Sequence, residues 1–403
     1  GAARVLRAQE ACGPERRDTA SCSAGAPEAP AHHEGPGAAP PVRWRGAQYG
    51  RKSTIYGGTV TLQAFADAGF EGPVQDDSWD VLFTHREQVT ALASRPLPER
   101  AGRLALHCNY FRAAGQKCRF ARHLARVVAA RKEGEGGEWP RHLRTYMLMD
   151  KAQHGEWRRR LAEDPHSYWV VKPCAAGNSS GLRLVSGNDG ADGPVEDWSV
   201  AQEYVLHPFL GFGGRKFHLR MYVFVTRWDP VGAFLFDDGL IFRSRHRYSG
   251  YQRPSVDRDL FSSIRSDVEP LTLAPLWSAL GEAQASAVRA RIISGLAEIL
   301  GVALEESFGT PNSSRGFSCF DLFGIDVMLD EHLTPFVLEF NIGPNLWVDS
   351  EGSEHVELLA SVKRPLVEQM VSWAALRARQ RPRGRAEAEG LEARALPGFT
   401  RIL

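Results

Sequence analysis

The hydrophobic residues of this chain follow two periods, one typical of helices and one typical of strands. Three apolar stripes at helical spacing predict helices with one buried face. The stripes are Phe120, Leu124, Val127 and Val128; Val288, Ile292, Leu296 and Ile299; and Leu359, Val362, Leu366, Met370 and Trp373. Apolar or alternating runs predict strands at 78–84, 168–172, 181–185, 200–205, 217–226 and 232–236. Strands that alternate with helices indicate a chain of the α/β or α+β class.

Two stretches lack this patterning and divide the chain. Residues 1–48 are rich in Ala, Gly and Pro, so they cannot bury enough apolar surface to offset chain entropy, and we expect them to be disordered. The Gly- and Glu-rich stretch 132–138 predicts a linker. It separates an N-terminal α/β subdomain at 49–138 from the remaining fold at 139–380. Residues 381–403 predict a tail, either as a solvated helix or as a loose segment.

The composition is that of a folded, soluble protein with balanced charge. The 403 residues include 49 Lys and Arg against 48 Asp and Glu, and 43% are hydrophobic. Balanced charge argues against nucleic acid as a partner, and the absence of an 18-residue apolar run and of a signal peptide argues against a membrane. Six scattered cysteines without a CxxC pair indicate neither a disulfide framework nor a zinc site, so we expect a reducing compartment.

The clearest chemical pattern lies in two apolar strands around a polar turn. If residues 323–329 and 336–341 pair as a hairpin, Asp326 lies opposite Glu339, and Asn341 lies on the same face two positions further. Carboxylate and amide oxygens flanked by apolar residues suit Mg²⁺ that bridges nucleotide phosphates better than they suit zinc or copper. A solvated sheet face explains the same pattern about as well, although an unpaired carboxylate among apolar runs would be costly.

Two further segments place basic side chains beside loops of small residues. Lys172 ends a strand that enters the loop 174–181, whose backbone amides can approach a phosphate, although a plain surface loop also fits. Lys216, His218 and Arg220 alternate along one strand face, where they repel one another unless they face an anion or solvent. Only seven of the 49 basic residues are lysines, so the two lysines stand out, because an ammonium and a guanidinium are not interchangeable at a phosphate.

Taken in chain order, these segments resemble the tubulin tyrosine ligase-like family, whose catalytic core is an ATP-grasp fold. The matching motifs are WVVKP at 169–173, AQEYV at 201–205, GGRKFHLRMYVFVT at 213–226, DLFGIDVML at 321–329 and PFVLEFNIGPNL at 335–346. Weaker similarity at 79–82 and 107–111 extends the resemblance to roughly residues 75–375. It implies an ATP-grasp fold of the α/β (α+β) class with an N-terminal α/β subdomain, and ATP and Mg²⁺ as cofactors.

The resemblance also implies a role for each residue that matches a family motif. Residues 202–205 correspond to the hinge segment that touches adenine, the two lysines to phosphate contacts, and Arg220 to the arginine that steadies the transferred phosphate or an acyl phosphate. The implied nucleotide-binding residues are Lys172, Gly181, Gln202, Glu203, Tyr204, Val205, Lys216 and His218, and the implied Mg²⁺ ligands are Asp326, Glu339 and Asn341.

Four positions depart from the family pattern. The phosphate loop, usually RGxG, is Asn-Ser-Ser-Gly at 178–181, and His218 stands where the family has aspartate. The family's arginine after Asp-Gly-Leu aligns with Phe242, although Arg243 follows directly and is our candidate for contacting the substrate through a slipped register. Residues 260–263 replace the usual His-Leu-Thr-Asn. The last two elements are associated with the incoming amino acid, so amino-acid specificity is the part least fixed by the resemblance.

The function that follows is an ATP- and Mg²⁺-dependent ligase that joins an amino acid, glutamate or else tyrosine or glycine, to a tubulin carboxylate through an acyl phosphate. Two alternatives stay open: a catalytically degraded family member that binds nucleotide or tubulin as a scaffold, and an ATP-grasp ligase for a small molecule. The expected partners are tubulin or microtubules and a free amino acid, with no nucleic acid and no membrane. The expected location is the cytoplasm and cytoskeleton, including a cilium or flagellum.

Overall fold

Two β-sheets organise the protein. The computed structural model describes residues 41–46, 56–84, 102–107, 116–130, 142–175, 181–189, 198–228, 230–250, 268–303, 317–348, 355–381 and 384–403. All of them belong to one unit of the chain that begins at Pro41. The described strands are β1 Trp44–Gly46, β2 Val81–Phe83, β3 Leu104–Leu106, β4 Thr145–Met147, β5 Tyr168–Pro173, β6 Arg183–Ser186, β7 Ser199–Glu203, β8 Phe217–Trp228, β9 Val231–Ser244, β10 Val268–Thr272, β11 Ser318–Leu329, β12 Pro335–Ile342 and β13 Phe399–Arg401.

The larger sheet has nine strands in the order β1-β2-β3-β11-β8-β9-β10, with β12 paired to β11 and β13 paired to β9. Strands β1 to β3 and β11 pair in parallel, whereas the pairs among β8 to β13 are antiparallel. The N-terminal strands are therefore continuous with the sheet that carries the hairpin. The described helices are α1 Gly58–Asp67, α2 Lys117–Ala129, α3 Lys151–Glu163, α4 Ala274–Ala303, α5 Val356–Gln380 and α6 Arg385–Ala395.

Alternating side chains on the long strands bury both faces of the larger sheet. On one face, Tyr222 and Phe224 pack in a core that includes Trp373 of α5. On the other face, Leu219 and Val223 pack in a core that includes the apolar stripe of α4. The three helices predicted from periodicity are confirmed, and in α2 only Val128 of the predicted stripe is exposed.

The smaller sheet has four antiparallel strands in the order β4-β7-β5-β6. Helix α3 covers one face, where Trp157 and Leu161 pack against Trp169. The helix begins where the Asp150 carboxylate accepts hydrogen bonds from the backbone N–H groups of Ala152 and Gln153, at 3.0 and 3.1 Å. The other face packs in part against α2, through Cys118 and Ala121, and carries Lys172 and Gln202.

Both ends of the chain correct the sequence prediction. The predicted disordered segment 1–48 extends too far, because Trp44 lies in β1 and is 1% exposed. Residues 1–40 and the predicted linker 132–138 lie outside the described residues. Residues 381–403, predicted as a tail, are instead packed on the fold: α6 buries Leu391, and β13 pairs with β9 through Phe399. No helix in the described ranges has the length and apolarity needed to cross a bilayer.

The cysteines give a further correction. Sequence spacing alone indicates no disulfide, but Cys118 on α2 and Cys174 just after β5 are paired as one, with 5.1 Å between their Cα atoms. The backbone N–H of Lys117 also donates to the carbonyl of Cys174 at 3.2 Å. Helix α2 is thus tied to the smaller sheet close to its strand β5.

A buried carboxyl group in the larger sheet generates the first prediction. Asp321 on β11 is 2% exposed and accepts a hydrogen bond from the indole Nε1 of Trp228 at 2.7 Å. Burial raises the pKa of Asp321 to about 7. The folded protein therefore retains a proton that the unfolded chain releases above about pH 4, so the stabilising contribution of this group is lost as the pH rises toward 7.

We expect Asp321→Asn to stabilise the protein at pH 8, by about 1–3 kcal/mol, because the amide oxygen still accepts from Trp228 and no charge is buried. The gain should be smaller at pH 5, where the folded wild-type protein carries a neutral carboxyl group. Urea unfolding at both pH values measures this. An equal effect at pH 5 and pH 8 would contradict the assignment.

Candidate functional site

The hairpin of β11 and β12 has the register that the sequence predicts. Asp326 pairs with Glu339, and Gly324 pairs with Asn341. The register shifts next to this pair, so that Leu338 has no partner on β11 and forms a bulge. Alternation along β12 alone would put Leu338 on the same face as Phe340, but with the bulge it lines a small pocket with Lys172 and Gln202.

The Asp326 carboxylate is held by an arginine of the next strand. Arg220 on β8 lies opposite Asp326 on β11 and donates from Nε to Oδ1 at 2.5 Å and from a terminal nitrogen to Oδ2 at 3.0 Å. Both residues are buried, at 9% and 6% exposure. Burial alone would lower the pKa of Arg220, but its contact with Asp326 raises it, so the guanidinium stays charged.

Asn341 and Glu339 complete an oxygen-rich cluster around this pair. The Asn341 amide lies 3.3 Å from Asp326 Oδ2 and 3.4 Å from Glu339 Oε1. Glu339 is less buried, with 30% of its side chain exposed, and lies 3.8 Å from the ammonium of Lys117 on α2. The sequence analysis missed Lys117. The only signal in the sequence that could have indicated Lys117 is that lysines are rare in this chain, since no local pattern predicts that α2 contacts the hairpin.

The smaller sheet contributes a second lysine to the same region. Lys172 Nζ donates to Gln202 Oε1 at 2.6 Å, and the Gln202 amide donates to the Thr145 hydroxyl at 3.3 Å. Burial lowers the pKa of Lys172 to about 8, while the charge of Glu339 opposes the shift. Lys172 therefore lies near its titration midpoint at neutral to mildly basic pH, within electrostatic range of the carboxylates of the other sheet.

The predicted hinge segment turns its side chains in different directions. Gln202 faces Lys172, whereas Glu203 faces away and forms a two-point ion pair with Arg144, at 2.8 and 3.1 Å. Tyr204 is buried, and the ammonium of Lys216 lies 3.7 Å from the centre of its ring. Val205 is buried against Leu143 and Met328. The segment thus joins the two sheets beside Lys216.

His218 lies on the same face of β8 as Lys216 and Arg220 and is 6% exposed. Burial, reinforced by the charge of Arg220, lowers the pKa of His218 to about 3, so its imidazole is neutral. Phe242 on β9 pairs with His218, with 5.5 Å between the ring centres. The Arg220 guanidinium carbon lies 5.7 Å from the same phenyl ring. An aromatic side chain therefore occupies the position that aligns with the family's arginine.

Arg243 is not brought to the cluster. It pairs with Phe217 on the opposite face of the sheet and bonds to Glu269 Oε2 at 2.6 Å. A slipped register is excluded because the β8–β9 pairing is continuous from Phe217 to Met221. Gly181, at the end of the predicted phosphate loop, is exposed. The loop residues 176–180 and the segment 260–263 lie outside the described residues.

The donor set fits Mg²⁺ bound together with a nucleotide. Two carboxylates and an amide converge on the hairpin, and they are oxygen donors apart from the amide nitrogen. Among the described residues, no group of three or more His, Cys, Asp or Glu side chains is arranged to hold a metal ion by itself, either at the hairpin or elsewhere. Phosphate oxygens and water would therefore supply the remaining ligands, as Mg²⁺ at nucleotide sites requires. The cations Lys117 and Lys172 lie beside the same region, and Lys216 lies over the ring of Tyr204 in the hinge.

Comparison with known proteins agrees with this geometry. The sequence profile of the Tubulin-tyrosine ligase family matches residues 105–261 and 262–380. The chain is 28% identical to tubulin monoglutamylase TTLL4 of Homo sapiens over 58% of this chain and 20% of that protein. It is also 28% identical to tubulin polyglutamylase ttll-4 of Caenorhabditis elegans, over 66% of this chain and 45% of that protein. The chain therefore spans less than half the length of these curated relatives.

The structure also resembles a solved one. The C-terminal domain of K. lactis Pby1, described as an ATP-grasp enzyme that interacts with the mRNA decapping enzyme Dcp2, aligns with a TM-score of 0.58. The alignment covers 90% of this chain and 99% of that chain at 17% identity. The predicted ATP-grasp fold is thereby confirmed.

The different surroundings of the two carboxylates generate a prediction about stability. Asp326→Ala leaves the buried Arg220 guanidinium unpaired and should destabilise the protein by about 3 kcal/mol. Glu339→Ala removes a part-exposed carboxylate with a longer ion pair and should cost less than about 1 kcal/mol. Urea unfolding of both variants gives the two values. Equal losses would show that the Arg220–Asp326 pair contributes no more than the exposed contact.

Proposed function

The chain belongs to the tubulin-tyrosine ligase family, and from that premise we propose that it is an ATP- and Mg²⁺-dependent ligase that joins an amino acid to a carboxylate of tubulin. The observation that carries the proposal is the register pair of Asp326 and Glu339, with Asn341 beside both and Lys172 facing them from the other sheet. This arrangement combines metal ligands and phosphate-binding cations, which is the chemistry that phosphoryl transfer needs.

In this proposal the chain's residues bind and orient the reactants. Asp326, Glu339 and Asn341 hold Mg²⁺, which when bound neutralises phosphate charge. Arg220 fixes the Asp326 carboxylate and adds a positive charge beside the metal ligands. The residues assigned to ATP are the cations Lys117, Lys172 and Lys216, the hinge Gln202, Glu203, Tyr204 and Val205, the pocket residue Leu338, and Gly181 and His218.

The amino acid is glutamate in this proposal. The two relatives compared above carry names that specify glutamylation, and glutamate is the substrate we take from them. Arg243 faces away from the cluster, so it does not contact the carboxylate of the bound glutamate. The proposed acceptor also places the protein on microtubules in the cytoplasm, including those of cilia or flagella.

A specific observation favours a second candidate, a nucleotide- or tubulin-binding scaffold without ligase activity. A neutral His218 and the phenyl ring of Phe242 occupy positions where family members carry an aspartate and an arginine. The side chains that bind Mg²⁺ and phosphate would be retained, while those that bind the amino acid would be lost. The scaffold binds ATP but transfers nothing.

Mass spectrometry of tubulin separates the two candidates. Tubulin incubated with the protein, Mg-ATP and a pool of amino acids should gain the residue mass of glutamate. Glu339→Gln should abolish the gain while the fold is kept, because the amide cannot replace the carboxylate at the metal. Glu331→Gln, at an exposed turn carboxylate, is the matched control and should retain full activity. ATP binding without any added mass would establish the scaffold instead.

A second prediction concerns the proton on Lys172. Its pKa of about 8 should rise when a phosphate chain binds beside it, since an anion stabilises the ammonium. At pH 8.5, ATP binding should therefore take up a proton, whereas at pH 6.5 the lysine is already charged and uptake should vanish. Calorimetry in two buffers of different ionisation enthalpy measures the uptake.

Lys172→Arg is the test variant for this uptake, because a guanidinium stays protonated throughout the range. It should bind ATP without taking up a proton at pH 8.5. Lys363→Arg is the control, since burial also lowers the pKa of Lys363 to about 8 but its ammonium bonds to the backbone of Trp347. Undiminished uptake in Lys172→Arg would refute the assignment of Lys172 to the nucleotide.

A further inference from the structure

A pair of cysteines joins the two elements that carry lysines of the candidate site. Cys118 is the second residue of α2, directly after Lys117, and Cys174 follows β5, two residues after Lys172. The Cα atoms of the cysteines lie 5.1 Å apart, within the range that a disulfide spans, and the two are bonded. The bond therefore fixes one lysine-bearing element relative to the other.

The same bond lies at the base of the predicted phosphate loop. Gly181, at the end of that loop, lies so close to Pro173 that a Cβ atom on Gly181 would be 2.8 Å from Pro173 Cγ. The backbone N–H of Cys174 donates to the carbonyl of Trp198 at 3.0 Å, which ties the start of the loop to the strand that follows. The two ends of segment 174–181 are thus adjacent, and the disulfide attaches α2 to one of them.

The surroundings of Cys118 favour its departure as a thiolate. Cys118 lies in the first turn of α2, at the positive end of the helix dipole, and the first turn contains no acidic residue. Lys117 and Arg119 flank it in sequence. Positive charge of this kind stabilises a thiolate, and a stabilised thiolate is a good leaving group when another thiol attacks the partner sulfur of Cys174.

Exchange also needs access, because Cys118 and Cys174 are only 4% and 2% exposed. Among the described residues, no side chain caps the start of α2, since Gln116 at the N-cap position makes no such bond. The backbone N–H of Lys117 donates to the carbonyl of Cys174 at 3.2 Å, and Ala121 packs in the same small apolar cluster as the cysteines. An uncapped first turn opens locally at low cost, which exposes the sulfur atoms to a thiol.

We infer that Cys118 and Cys174, which we call the latch, form a reversible disulfide that exchanges with a low-molecular-weight thiol such as glutathione. A first glutathione thiolate attacks Cys174 Sγ, the S–S bond breaks, and Cys118 leaves as a thiolate that takes up a proton. A second glutathione thiolate attacks the glutathione sulfur of the mixed disulfide, so that Cys174 is released and protonated and glutathione disulfide forms. The latch gains two electrons and two protons, which two glutathione molecules lose.

The latch acts on the candidate site through the position of α2. In the oxidised protein the bond keeps α2 beside β5, so that Lys117 and Lys172 lie on the same side of Glu339 before a ligand arrives. Charges that are already in place lower the entropy lost on binding, so we expect the oxidised form to bind ATP more tightly than the reduced form. This effect on ATP rests on the proposed function, whereas thiol exchange and the release of α2 do not.

Thiol trapping and hydrogen exchange test the latch in the absence of ATP. The protein is equilibrated in buffers of graded ratios of reduced to oxidised glutathione, quenched in acid and alkylated, and its peptides are analysed by mass spectrometry. Cys118 and Cys174 should become alkylated together as reduced glutathione increases. The backbone amide of Lys117 should exchange about tenfold faster in the reduced form, whereas that of Ala152, at the capped start of α3, should not change.

Calorimetric titration with ATP then measures the effect of the latch on the candidate site. Reduction of the wild-type protein should weaken ATP binding by about three- to tenfold. Cys118→Ala should bind ATP as the reduced wild type does, whatever the glutathione ratio. Cys22→Ser, which removes a cysteine outside the described residues, is the matched control and should respond to glutathione as the wild type does.

Four results would overturn the inference: a latch that stays oxidised or reduced at every glutathione ratio, alkylation of one cysteine without the other, equal exchange of the Lys117 amide in both forms, or equal ATP affinity in both forms. Reduction of the wild-type protein tests each of these without any substitution. A latch that responds as expected, in a protein that binds no ATP in either form, would refute the proposed function and leave the reversible disulfide established.

Discussion

An arginine on β8 and an aspartate on β11 share a buried, two-point ion pair, and the candidate site is arranged around it. Two charges buried this deeply are tolerated only when each satisfies the other, so the pair constrains the register between the two strands. That register in turn sets Asp326 opposite Glu339 and brings Asn341 within reach of both carboxylates. The pair also limits Asp326 chemically, because two of its lone-pair directions are already used by Arg220, so a metal there depends on the more exposed Glu339 and on oxygens from the nucleotide.

The remaining groups of the site come from the other sheet and from α2, and their positions depend on long-range packing. Lys172 reaches the cleft because β5 is buried on its other face against α3, while Lys117 reaches Glu339 because α2 packs between the two sheets. The pairing of Cys118 with Cys174 joins these two lysine-bearing elements directly. The carboxylates and the lysines thus lie on parts of the chain that are held together by α2 and the hinge, an arrangement suited to closing around a ligand with phosphate groups.

Local pattern predicts those parts of this protein that a single element determines. The hairpin register follows from alternation and a short turn, and the three helical stripes follow from a period of 3.6 residues, so both are visible in the sequence. Alternation does not predict the position of Leu338, because a one-residue bulge puts it on the face opposite to that of Phe340. Lys117, the ordered strand β13 and the burial of Trp44 escape it for another reason: each depends on a partner far away in the chain. Arg243 illustrates the strictness of strand geometry, since one position along β9 separates the two faces of the sheet.

Both faces of the β8–β9 pair carry cationic side chains, but the two sets differ in how deeply they are buried and in what they contact. On the cleft face the cations are buried, paired or stacked, as Arg220 is with Asp326 and Lys216 is with Tyr204, so they are fixed before any ligand arrives. On the opposite face, Arg243 and the preceding Arg215 are more exposed and share the carboxylate of Glu269 on β10. Fixed charges suit the positioning of a phosphate, because the rate of phosphoryl transfer depends on geometry. A single pair of strands can therefore carry buried cations on the cleft face and a more exposed ion pair on the other, because alternation assigns successive residues to opposite faces.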